Sequence, residues 1–66
     1  MPHTFEELAE MIARRDKITY NEAYLLVEEC ASDMEYAFAN GSLDEAEDIL
    51  RSTLGLELDY LDLFIY

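Results

Sequence analysis

Apolar residues along this chain recur at three- and four-residue intervals, the spacing that lays them along one side of an α-helix. Phe5, Leu8, Ala9 and Ile12 form the first such set. Ala23, Leu26, Val27, Cys30, Met34, Ala37 and Phe38 form the second, and Leu43, Ala46, Ile49, Leu50 and Leu54 the third. Each set follows a hydroxyl residue placed three positions before a glutamate: Thr4-Phe5-Glu6-Glu7, Thr19-Tyr20-Asn21-Glu22 and Ser42-Leu43-Asp44-Glu45. This is the pattern of a capping box, in which the hydroxyl takes the amide of the third helical residue and the glutamate bonds back to the cap's own amide. The pattern predicts helices over residues 5–15, 20–39 and 43–54, with short connections at 16–18 and 40–41.

Punctuation and charge agree with these boundaries. Gly41 and Gly55 stand where a helix end needs the left-handed conformation that glycine adopts without a Cβ clash. In the first helix Glu6, Glu7 and Glu10 come early and Arg14, Arg15 and Lys17 come late, the order that complements the helix dipole.

Residues 56–66 read two ways. Leu56, Leu58 and Tyr60 alternate with acids, which suits a strand, but a lone strand has no partner in a helical chain unless a second copy supplies one. The preferred reading is a short fourth helix capped by Glu57 or Asp59, with Leu58, Leu61 and Ile65 facing inward. The expected fold is therefore all-α: one domain over residues 1–66, a small bundle of three helices plus a short fourth C-terminal helix.

A chain of 66 residues buries only about 60% of the surface it exposes when unfolded, so its core is thin. Small folds usually add disulfides, a metal, a partner subunit or very regular helix packing. Cys30 is the only cysteine and His3 the only histidine, so an intrachain disulfide is excluded and no cofactor or metal site is expected. An apolar fraction of 52% argues against disorder. No apolar run approaches the ~20 residues of a membrane-spanning helix. The first residues lack the basic and apolar regions of an export signal, and with a lone thiol this gives a cytoplasmic expectation.

Charge changes the picture most. Sixteen acids against four bases leave a formal net charge of −12, which repels nucleic acid and anionic membranes and favours basic protein surfaces. The acids themselves do not read as an active site. General acid–base work needs a carboxyl shifted by burial or by a specific neighbour, and these fall on the sides of the helices away from the apolar stripes. Asp44, Glu45, Glu47 and Asp48 lie on a helix and lack the central glycine of a calcium loop. Cys30, mid-helix on the apolar stripe beside Glu28 and Glu29, reads as core filler with its thiolate disfavoured. No catalytic residue is expected.

The candidate partner-binding residues are Glu22, Glu28, Glu29, Asp33, Glu35, Asp44, Glu45, Glu47 and Asp48, together with Tyr36. Glu22, Glu29, Asp33 and Tyr36 share one face of the second helix. Acids flanking a tyrosine suit an arginine-rich partner through Coulomb attraction and cation–π contact. The plainer alternative is that the tyrosines shield the edge of the core.

The run Ile18-Thr19-Tyr20-Asn21-Glu22-Ala23, then Asp44-Glu45-Ala46-Glu47-Asp48-Ile49-Leu50 and Leu54-Gly55-Leu56-Glu57-Leu58-Asp59-Tyr60-Leu61, resembles small acidic helical accessory proteins of bacteriophages. The likeness covers scattered pieces between residues 18 and 63, and Leu58 departs from the proline expected ahead of the last helix. The resemblance implies a phage or prophage origin and a class of protein that binds and inhibits host nucleic-acid-handling enzymes, some by imitating DNA. It transfers no functional residue. The leading expectation is a non-enzymatic accessory protein that binds a basic surface of a host nucleic-acid-handling or defence protein, with an inhibitory DNA mimic as its most specific form. The alternative is a helical assembly module, homodimeric through its apolar C-terminal segment, without mimicry.

Overall fold

Thr4 opens the first helix, α1 (Phe5–Asp16), by accepting the Glu7 amide on its hydroxyl at 3.1 Å. The computed structural model describes residues 2–65. α1 is followed by α2 (Tyr20–Ala39) and α3 (Leu43–Ile49). α3 runs on without a break into a wider π-helical turn (Leu50–Leu54), and a 3₁₀ helix (Leu58–Leu63) ends the chain. The described residues contain no strand. The fold is an all-α bundle of three helices with a short fourth.

Only one of the three expected capping boxes is complete. Thr19 accepts the Glu22 amide at 3.1 Å while the Glu22 carboxylate accepts the Thr19 amide at 3.2 Å. At α1 the Glu7 carboxylate reaches one residue further back and accepts the His3 amide at 3.0 Å. At α3 the Ser42 hydroxyl makes no cap bond. There the turn is too tight: the Ser42 amide is held by the Ala37 carbonyl at 2.9 Å, which leaves its backbone at φ −106°, ψ 83°, outside the extended geometry of a capping residue.

Both glycine stops are in place, Gly41 at φ 70° and Gly55 at φ 65°. The end of α1 uses the same left-handed geometry without a glycine: Lys17 has φ 58° and ψ 45° and gives its amide to Ala13. The following amide, Ile18, also bonds the Ala13 carbonyl at 3.1 Å, and the Ile18 side chain packs on the core. That bond and that apolar contact hold a lysine where glycine is the usual occupant.

The π-helical turn is a departure from the expected uniform helix over 43–54. A π turn rotates less per residue than an α turn, so Leu54 is brought back beneath Ala46 and Leu50 instead of drifting round the helix. All three are buried. In exchange Leu43, expected inside, is 50% exposed.

The core lies where α1 and α3 pack against α2. Leu8, Ala9, Ile12, Ala23, Val27, Cys30, Met34 and Ala37 are fully buried there, and no polar or charged side chain joins them. The C-terminal segment closes one side of it. In a 3₁₀ helix residues three apart eclipse one another, so Tyr60 aligns with Leu63 and Leu61 with Phe64. These four residues pack on the core, whereas Leu58, at the start of the row that Leu61 and Phe64 continue, does not. Leu58 and Ile65, expected inside on α-helical spacing, are 47% and 46% exposed, and the buried residues are Leu56 and Phe64 instead. Glu57 precedes this helix in extended conformation, but its carboxylate accepts no cap hydrogen bond.

Candidate functional site

The acids stand in solvent. Glu22, Glu28, Glu29, Asp33 and Glu35 on α2, and Asp44, Glu45 and Asp48 on α3, are exposed, while Glu47 is half-buried. Tyr36 is 73% exposed. On α2 the buried residues occupy one side of the cylinder, and Leu25, Glu29, Ser32 and Tyr36 run along the opposite side. Glu22 and Asp33 lie beside that line. The face expected from residue spacing is thus present on α2.

The other expected residues stand apart from it. Glu28 and Glu35 lie on the flank of α2, where Glu35 lines an open apolar cleft with Phe5, Ala31, Phe38, Leu43, Phe64 and Ile65. Asp44, Glu45, Glu47 and Asp48 belong to α3. Among the described residues no hydrogen bond or ion pair ties the acids of α2 to those of α3.

Little positive charge is available to neutralise this surface. Arg15 pairs with Asp16 at 2.8 Å and Arg51 with Asp48 at 3.9 Å, and these are the ion pairs among the described residues. Arg15 also donates to the Leu54 carbonyl at 2.7 Å. The hydrogen bond from Arg15 holds the Asp16 carboxyl below the usual carboxylate range. Hydrogen bonds from the Thr19 amide and then the Thr19 hydroxyl do the same for Glu22, so both stay ionised further into acid. Each shift supports a helix end, and neither prepares a proton-transfer group.

Cys30 is fully buried, its thiol 3.6 Å from the Met34 sulfur. Burial, and then the nearby Asp33 charge, push that thiol up to about 11. Such a group is a small hydrophobe, not a nucleophile. Among the described residues no three His, Cys, Asp or Glu side chains converge into a site that could hold a metal ion, and no helix is long and apolar enough to cross a membrane.

The structure also assembles a feature absent from the expected set. Tyr20 and Tyr24, one turn apart on α2, hold their ring centroids 5.9 Å apart at 37°. With Glu6, Asn21 and Leu25 they line an open cleft of about 490 Å³. Leu25 lies off the apolar stripe and is 65% exposed. That misplaced leucine, beside a tyrosine pair at four-residue spacing, is the signal in the sequence that could have marked the cleft.

No family model, no curated protein and no solved structure matches this chain.

Proposed function

We propose that this chain is a non-enzymatic acidic binding module, which engages a basic surface on a protein partner through the exposed acids of α2 and α3. The observation that carries the reading is the state of those acids. Of sixteen, none is buried, and among the described residues only Asp16 and Asp48 lie in ion pairs. A charge of −12 is left facing water, at a cost in self-repulsion to so small a fold. Recognition of a basic groove gives that charge a use, since opposite potentials steer encounter and fix orientation.

The finer form of this proposal is a phage-type accessory protein of the cytoplasm, acting on a host nucleic-acid-handling or defence protein as an inhibitory DNA mimic. Along a helix, acids three or four residues apart stand about 5–6 Å from one another, a spacing on the scale of successive phosphates. The resemblance to small acidic phage proteins supports the same form. The alternative, a homodimer through the C-terminal segment, has less to draw on. Phe64 is 7% exposed and its ring lies 5.2 Å from that of Phe5, so this part of the apolar segment is covered within the chain. Ile65 is left exposed, and Tyr66 lies outside the described residues.

The test is capture of the partner from a host lysate over a series of salt concentrations, followed by competition with duplex DNA for the captured protein. Capture that fades steeply with salt is the expected result. Competition with DNA separates the mimic from the broader acidic module.

A further inference from the structure

The acidic surface is not uniform, and one place on it is built to do more than attract. Between α1 and α2, Tyr20, Tyr24 and Leu25 form an apolar cleft with Glu6 at its edge. Glu10 lies one turn further along α1 from Glu6, and Tyr20 carries its phenol at the cleft. Desolvation first, then Glu6, Tyr24 and Glu10, raise that phenol above its ordinary range. Neither glutamate has an ion-pair partner among the described residues. We propose that the Tyr20–Tyr24–Leu25 cleft, with Glu6 at its edge, anchors a single arginine side chain of the basic partner.

The chemistry of the cleft selects this occupant. Two tilted rings offer electron-rich faces to a cation, and a planar guanidinium stacks on such a face while its edge donates to a carboxylate. Leu25 gives the arginine stem apolar surface to lie on. A lysine can meet the charge but cannot stack. A neutral apolar side chain would leave the Glu6 carboxylate unanswered. A second copy of this chain would bring another −12 against the first, which opposes association at an acidic edge. Charge complementarity therefore commits the cleft to a cation, and its shape to arginine. This inference rests on the reading of the chain as an acidic module for a basic partner, and adds the point at which that partner is gripped.

The experiment is a ¹H–¹⁵N correlation titration of the full chain at low salt with a blocked tri-arginine peptide, and in parallel with the tri-lysine peptide of equal charge. The largest perturbations are expected at the amides of residues 20–25 and at Glu6. The arginine peptide should bind about two- to five-fold more tightly than the lysine peptide, the range of an exposed cation–π contact. Y20L, which keeps apolar bulk, should abolish that preference while the spectrum stays that of the folded chain. Equal binding of both peptides, with perturbations spread along the acids of α2 and α3, would overturn the anchor and leave the acidic-module reading standing. Binding of neither peptide would overturn both. Perturbation of the same amides by raising the protein concentration alone would assign the cleft to a second copy and overturn the proposal.

Discussion

The Arg15 guanidinium donates a 2.7 Å hydrogen bond to the carbonyl of Leu54, 39 residues further along the chain. The same guanidinium holds Asp16 through two further bonds, of 2.8 and 3.0 Å. One of only four basic residues is thus used to tie the end of α1 to the last turn of the third helix, where carbonyls have no partner within the helix. Arg15→Ala should cost about 1–2 kcal/mol, near the lower end for hydrogen bonds to charged groups because the side chain is 40% exposed. Arg15→Lys should recover little of this, since an ammonium cannot span both acceptors with fixed geometry. Urea denaturation of the two variants checks the comparison.

Left-handed residues at two helix ends give predictions of opposite sign. Gly55→Ala places a Cβ in ordinary contact with the Arg15 guanidinium, so the cost is backbone strain alone, about 1–2 kcal/mol. Lys17→Gly relieves the same strain at α1 and loses part of the gain to the greater freedom of glycine when unfolded, leaving about 0.5 kcal/mol of stabilisation. Paired thermal melts should move in opposite directions.

The buried thiol sets a pH window. Burial raises the Cys30 thiol from its ordinary 9.0 to about 11. Below pH 9 it is protonated in both folded and unfolded chains and adds no pH dependence. Between 9 and 11 the unfolded chain ionises first, so stability falls as pH rises through that range. The Cys30 share of any such loss is the part that disappears in Cys30→Ala. That variant should lose about 1 kcal/mol at neutral pH and keep its partner binding. Urea midpoints from pH 8 to 10.5 for both proteins test the sign.

The C-terminal segment should be unequal along its length. Phe64→Ala removes a ring packed on Phe5 at the edge of the core, and should cost about 2–3 kcal/mol, below the full range for a central phenylalanine. Ile65→Ala, at a position 46% exposed, should change stability by less than about 0.5 kcal/mol. Similar melting temperatures for the two variants would mean that this end does not dock as described.

Residue spacing made most of this fold legible. The bounds of α2 and both glycine stops follow from periodicity and turn chemistry, because a long apolar stripe leaves one helical phase that buries it. The π-helical turn was not legible. Its cause is Leu54 returning to the inward row, which depends on what α2 offers across the interface and not on any local residue. The same holds for the C-terminal segment: Phe64 and not Ile65 turns inward, and the choice is made by packing on Phe5 and by the Tyr60 hydroxyl 3.6 Å from the Met11 sulfur. The acidic face was legible as exposure. The tyrosine cleft was not, because it needs Glu6 on one helix beside Tyr20 and Tyr24 on another.

The most direct test of the central claim reverses charge on the acidic face and asks whether the partner is lost. Glu29→Lys with Asp33→Lys changes two exposed positions of α2 off the buried stripe, so circular dichroism should show an intact fold. Partner capture from host lysate is then compared between this variant and the parent chain, at about 0.05 M and about 0.5 M salt, where exposed charges pass from weakly to strongly screened. The account predicts capture by the parent at low salt, a steep loss at high salt, and little capture by the variant at either. The same partner retained by the folded variant, or by the parent undiminished at high salt, would contradict it.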